Sequence, residues 1–148
     1  ATVGLAGGDA RHVREDPGGE RADRLRALPE FGDPVRQEQA ERLLARAGYI
    51  VTAFHRPAAA LAAYRAAPDT FDLVVSDFSM PEMSGIALAT ECLRLRPDLP
   101  VILISGYLRG PDREAARLAG IREIIEKPMT PQDLLPVIAR LLETRPPR

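Results

Sequence analysis

Three side chains with different chemistry close three apolar segments of the sequence. Asp77 ends the run FDLVVSD, Ser105 ends PVILIS, and Lys127 follows IREIIE. A carboxylate near a hydroxyl and an amine can accept a phosphoryl group, because the carboxylate is a nucleophile and the other two groups bind phosphoryl oxygens. Mg²⁺ normally offsets the negative charge that gathers in such a site. The three residues therefore indicate a candidate phosphoacceptor site.

The segments around these residues alternate between strand and helix patterns. Phe71–Asp77 and Pro100–Ser105 are nearly continuous apolar runs, which predicts strands buried on both faces. Further strands are predicted at Tyr49–Phe54 and Ile121–Ile125, and helices at Val35–Ala47, Pro57–Ala67, Ser84–Leu95, Pro111–Ala119 and Thr130–Glu143. This alternation predicts an α/β fold with a doubly wound parallel sheet, whose carboxyl edge gathers the three chemically active side chains.

The ends of the chain are predicted to differ from its middle. Residues 1–24 are rich in Gly, Arg, Asp and Glu, so we expect a flexible leader or linker there. The folded domain is predicted over residues 25–144, followed by a stub over 145–148. A fifth strand must precede the first helix. We expect it at Leu25–Glu30, although the proline inside that segment is typical of an edge or irregular strand.

The composition excludes several classes of protein. A chain of 148 residues with 45% hydrophobic and 28% charged residues is expected to form one folded domain. The 20 Lys and Arg against 21 Asp and Glu exclude a broadly basic surface for nucleic acid. The single cysteine, Cys92, excludes a disulfide framework. Without an apolar run of roughly 18 residues or a secretory signal, no membrane contact and a cytoplasmic location are expected.

The sequence resembles the receiver domain of response regulators over about residues 25–143. The residues that carry the resemblance are Asp77-Phe-Ser-Met-Pro81, Gly85, Ser105-Gly106 and Lys127-Pro128, with 28 residues from Asp77 to Ser105 and 22 from Ser105 to Lys127. The resemblance implies a flavodoxin-like sheet of five strands in the order 2-1-3-4-5. It also implies that Asp77 is the phosphoacceptor, that Lys127 contacts the phosphoryl group, and that Ser105 shifts towards it.

Cofactor and partners are likewise implied by the resemblance. Mg²⁺ would be held by Asp77 and by the backbone carbonyl of Ser79. The donor would be a phosphohistidine on a sensor histidine kinase or its phosphotransfer domain, so the protein would not be a conventional enzyme. The Lys127–Pro128 peptide bond would be cis, and the face made by the fourth helix, fifth strand and fifth helix would serve homodimerisation. The linker-like ends and the start at Ala1 suggest the carboxyl-terminal receiver of a hybrid sensor kinase.

The first strand departs from the pattern of the family. Receivers usually end it with an acidic pair that helps to hold Mg²⁺. Counting back from Gly48 puts Phe31-Gly32 at that place, with Glu30 and Asp33 one position away on either side. Both acids are candidate metal ligands, but Asp33 before a proline also fits a helix cap, which we favour.

Four further predictions concern single residues. Ile124 stands where many receivers carry Tyr or Phe. Signalling through the movement of an aromatic ring at this position is therefore in doubt. Cys92 is expected to be a buried apolar residue rather than a nucleophile. Tyr107 fits either an exposed partner contact or a half-buried loop residue. Five arginines in the second half of the chain are expected on a solvated surface: Arg94, Arg96, Arg109, Arg113 and Arg117.

Two functions remain open from the sequence. One is a receiver that accepts a phosphoryl group on Asp77, which the intact set of Asp77, Ser105 and Lys127 favours. The other is a degenerate receiver that serves as a protein-interaction module with weak or no phosphorylation, which Phe31-Gly32 favours. An enzyme of another doubly wound family is disfavoured, because the sequence has neither a G-x-G-x-x-G motif nor a P-loop. We expect phosphoryl acceptance.

Overall fold

Strands and helices alternate along the part of the chain that the structure describes. The computed structural model describes residues 2–5, 34–54, 56–79, 82–127 and 130–143. The strands are β1 Thr2–Leu5, β2 Ile50–Ala53, β3 Leu73–Asp77, β4 Val101–Ser105 and β5 Glu123–Glu126. The helices are α1 Pro34–Arg46, α2 Pro57–Ala66, α3 Gly85–Leu95, α4 Gly110–Ala119 and α5 Pro131–Glu143. Apart from β1, each element lies where the sequence pattern predicts it.

The five strands form one parallel sheet in the order β2-β1-β3-β4-β5, as predicted. Helices cover both of its faces. Helices α2, α3 and α4 pack on one face in a cluster that includes Tyr64, Leu88 and Ala116. Helices α1 and α5 pack on the other, around Leu44 and Ile138. The fold is therefore the doubly wound, flavodoxin-like arrangement.

The first strand of the sheet lies earlier in the chain than the segment in which it was expected. It is Thr2–Leu5, which lies inside the segment 1–24 predicted to be a flexible leader. The strand expected at Leu25–Glu30 lies outside the described residues. The run TVGL is too short to stand out in the sequence, and it becomes a strand because it pairs with β2 along one edge and with β3 along the other. In the sequence, residues 6–33 lie between β1 and α1.

The central strands are buried because apolar helices cover both of their sides. Every residue of β3 and of β4 is buried, as predicted from their continuous apolar runs. Edge strand β5 is only half-buried. In the register of the ladder, Asp77 lies opposite Ile104 and Ser105 lies opposite Glu126. The last residues of β3, β4 and β5 therefore meet at the carboxyl edge of the sheet.

Arg96 corrects the prediction of a solvated arginine surface. Its guanidinium is buried and donates to the carbonyl of Pro68 at 2.8 Å and to the carbonyl of Phe71. Both carbonyls belong to the turn that leads into β3, where the carbonyl of Pro68 also accepts the backbone N–H of Phe71 at 3.4 Å. The guanidinium of Arg96 adds a donor from outside the turn. The pattern of charges along the sequence cannot reveal such a tertiary partner. The other four arginines have exposed side chains.

Three further predictions can be compared with the structure. Cys92 is buried among apolar side chains, as expected. Tyr107 is 81% exposed, so it is not half-buried, and its contact with a partner stays a prediction. Ile124 is half-buried against the cluster beneath α3 and α4.

Candidate phosphoacceptor site

Asp77 and Lys127 form an ion pair at the carboxyl edge of the sheet. Lys127 Nζ donates to Asp77 Oδ2 at 3.0 Å. Asp77 ends β3 and is only 5% exposed, while the lysine side chain, which follows β5, is 36% exposed. The lysine therefore reaches across the end of β4 to a carboxylate that is nearly shielded from water. This cation lies where negative charge develops when the carboxylate reacts with a phosphoryl group.

Ser105 lies between these two residues in the order of the strands. It is the last residue of β4 and is buried. Its carbonyl accepts the backbone N–H of Lys127 at 2.8 Å, which carries the β4–β5 ladder up to the site. The structure thus brings all three predicted residues to neighbouring strand ends. Two of them, Asp77 and Lys127, are in direct side-chain contact.

Backbone hydrogen bonds hold the loop after β3 close to the carboxylate of Asp77. The backbone N–H of Phe78 donates to Ile104 at 2.8 Å, and that of Ser79 donates to Asp77 Oδ1 at 3.2 Å. Farther along, the N–H of Gly85 donates to the carbonyl of Phe78 at 2.9 Å. Asp77 therefore has one carboxylate oxygen oriented by a backbone N–H and the other by Lys127.

Gly85 lets helix α3 begin directly against the end of β3. A Cβ atom at this position would overlap the carbonyl oxygen of Asp77 and would lie 2.6 Å from Leu103 Cδ1. Any other residue would push the start of α3 away from β3. The hydroxyl of Ser84 accepts the N–H of Ala87 at 3.1 Å and caps the helix at the same point.

The residues around Asp77 include oxygen donors of the kind that Mg²⁺ takes. Mg²⁺ takes oxygen ligands and commonly uses one or two carboxylates, with water and phosphate oxygens completing its shell. Asp77 and the carbonyl of Ser79 are such oxygen donors. Within the described ranges, no cluster of three or more Asp, Glu, His or Cys side chains could hold a metal ion.

Several predicted residues lie outside the described part of the chain. They include Glu30, Asp33, Phe31-Gly32 and Pro128. The count that selected the two acids assumed a first strand ending near residue 32, whereas β1 ends at Leu5. The sequence reasoning also missed the ion pair between Arg113 of α4 and Glu126 of β5, which lies next to Lys127. No local signal indicates this pair, because 13 residues separate its members.

A model of the response regulator receiver domain matches residues 32–139. The chain belongs to the response regulator receiver family. The match begins just before α1, and residues 6–31 of the sequence lie between β1 and the matched region. Receivers of this family are phosphoacceptor domains of two-component signalling that act with histidine kinases or phosphotransfer proteins and use Mg²⁺.

Similar receivers occur in bacteria and archaea. The response regulator receiver protein CpdR of Brucella abortus is 36% identical over 104 residues, which are 68% of this chain and 82% of CpdR. The transcriptional regulatory protein DctD of Rhizobium meliloti is 36% identical over 105 residues, which are 71% of this chain but 22% of DctD. A CheY-like receiver from Methanospirillum hungatei superposes with a TM-score of 0.69 at 27% identity, covering 76% of this receiver and 89% of that chain.

These comparisons support the two-component receiver function predicted from the sequence. They concern the receiver domain, because this chain spans less than a quarter of DctD. None of the helices in the described ranges is both long and apolar enough to cross a membrane.

Proposed function

We propose that Asp77 accepts a phosphoryl group from the phosphohistidine of a sensor histidine kinase or of its phosphotransfer domain. The observation that carries this proposal is the 3.0 Å contact between Lys127 Nζ and the buried carboxylate of Asp77. A buried acid held by a partly exposed lysine leaves a charged pair within reach of a partner. Phosphoryl transfer is proposed because receivers of the family to which the chain belongs are phosphoacceptor domains.

In the proposed reaction a carboxylate oxygen of Asp77 attacks the phosphorus. The new O–P bond forms as the P–N bond to the donor imidazole breaks, and the electron pair stays with the imidazole, which takes up a proton. The product is an acyl phosphate on Asp77. Lys127 and the hydroxyl of Ser105 bind the phosphoryl oxygens while charge moves onto them.

Mg²⁺ would be held by Asp77 and the carbonyl of Ser79, and it would offset the charge of the phosphoryl oxygens. Because the described residues supply a single carboxylate to this position, we expect weak binding of the metal. Glu30 and Asp33 stay proposed additional ligands. Replacing each by alanine tests them, and the measured quantity is the Mg²⁺ concentration at which phosphorylation reaches half of its maximal rate.

The test is phosphorylation by acetyl phosphate, measured by intact mass with and without Mg²⁺. We expect the mass of one phosphoryl group to be added to the wild type and to Asp112→Asn, and not to Asp77→Asn. Asp112 is a suitable control because it is a carboxylate of α4 outside the site. A folded wild-type protein that gains no phosphoryl group would contradict the proposal and favour the alternative of a degenerate interaction module.

A further inference from the structure

We propose that the ion pair of Arg113 with Glu126 positions Lys127 for the reaction at Asp77. This inference rests on the proposed role of Lys127 in that reaction. Arg113 lies on α4, Glu126 is the last residue of β5, and their guanidinium and carboxylate are in contact. Both are positioning residues, since neither touches Asp77 in the structure.

Lys127 needs such support because it follows the least supported strand of the site. Among the described strands only β4 pairs with β5, so β5 is an edge of the sheet. Three of its four residues are half-buried and the last, Glu126, is exposed, while all residues of β3 and β4 are buried. The end of an edge strand with little burial opens more easily than a central one. The lysine nevertheless has to extend past β4 to reach Asp77.

The backbone provides one restraint at this point, and the ion pair provides a second. Lys127 N–H donates to Ser105 at 2.8 Å, on the side of β4. The contact of Glu126 with Arg113 holds the preceding residue to α4, the helix that follows Ser105 in the chain. The segments that carry Ser105 and Lys127 are therefore joined both through the ladder and through side chains.

The pair is too exposed to matter much for global stability. The side chains of Arg113 and Glu126 are 50% and 57% exposed, and exposed ion pairs contribute little to the free energy of unfolding. The effect of the pair should therefore appear in the reaction that depends on the position of Lys127. It should be nearly absent from thermal unfolding.

A second ion pair on the same strand provides a matched control. Glu123, the first residue of β5, accepts from Arg140 of α5 at 2.6 Å. Glu123→Gln removes the same charge from the same strand as Glu126→Gln, but it does so at the end remote from Lys127. A role confined to stabilising β5 would make the two variants equivalent.

The experiment measures the rate of phosphorylation by acetyl phosphate in the full chain, together with the melting temperature. We expect Arg113→Gln and Glu126→Gln each to lower the rate about two- to fivefold, the range open to one exposed ion pair. Glu123→Gln should keep the wild-type rate, and Arg113→Lys should restore most of it. The melting temperatures of Glu126→Gln and Glu123→Gln should agree.

Opposite effects of the two variants that break the pair would overturn the inference. Arg113→Gln removes a positive charge and Glu126→Gln a negative one, so simple attraction of the anionic donor would make one slower and the other faster. Unchanged rates in both, or equal slowing by Glu123→Gln, would also overturn it. A wild type that gains no phosphoryl group contradicts instead the proposed function on which the inference rests.

Discussion

Lys127 and Asp77 are 50 residues apart in the sequence, yet their side chains meet at 3.0 Å. The contact depends on the order of the sheet, which places β3 and β5 on either side of β4. Because the strands are parallel, their carboxyl ends lie at the same edge. The long side chain of Lys127 is then sufficient to reach from the end of β5, past β4, to Asp77 at the end of β3.

Replacing Lys127 by methionine is expected to lower the phosphorylation rate by at least about a hundredfold, since it removes a preorganised cation from the developing negative charge. Methionine keeps most of the length of the side chain and removes only its charge. Arg42→Met is the control, because Arg42 is an exposed cation of α1 paired with Glu38. The acetyl phosphate assay measures both variants. A rate for Lys127→Met within twofold of the wild type would show that the ion pair has no part in the reaction.

Gly85→Ala is expected to destabilise the protein by about 1–3 kcal/mol, because the added Cβ overlaps the carbonyl of Asp77 and forces α3 away from β3. Gly110→Ala is the matched variant. It also replaces the first residue of a helix, but a Cβ there meets nothing within 4 Å. Urea denaturation should show a lower free energy of unfolding for Gly85→Ala and an unchanged one for Gly110→Ala. Equal stabilities of the two variants would contradict the close approach.

Arg96→Met is expected to destabilise the protein by about 1–3 kcal/mol, since the carbonyls of Pro68 and Phe71 lose their buried donor. Arg94→Met is the control from the same end of α3. Arg94 is exposed, so its replacement should change the free energy of unfolding by less than about 0.5 kcal/mol. Denaturant unfolding of both variants measures the difference. The prediction fails if Arg96→Met is as stable as Arg94→Met.

Stability is expected to fall in alkali because Cys92 is buried. Burial raises the pKa of its thiol from the usual 9.0 to about 12. The folded state thus binds the proton more tightly than the unfolded state, so this contribution to stability is complete below pH 9 and is lost as the pH rises towards 12. Burial also raises the pKa of Tyr64, which acts in the same direction.

Urea unfolding at pH 8 and at pH 10.5 tests the effect of Cys92. Cys92→Ala creates a small cavity at every pH, so the informative quantity is the difference between the two pH values, which should be smaller than in the wild type. A variant that loses as much stability as the wild type between the two pH values would contradict a role for the thiol.

Most elements of the fold were predictable because their patterns are local. The apolar runs before Asp77 and Ser105 predict buried strands, and the helix beginning at Pro131 is preceded by Thr130, whose backbone N–H donates to Asp133 at 2.7 Å. The predicted site residues followed from the same reasoning, since strand ends in a parallel sheet share an edge. Short segments of sequence and the geometry of a parallel sheet are sufficient for both inferences.

By itself the sequence determined which residues could do chemistry and which strands would carry them. The tertiary structure decided what no local pattern contains. The four residues of β1 become a strand only because β2 and β3 bond to their two edges, and Arg96 is buried only because a distant turn offers its carbonyls. The pair of Arg113 with Glu126 arises in the same way. Such hydrogen bonds and ion pairs join residues that are remote in the sequence. These residues come within contact distance only when the chain folds.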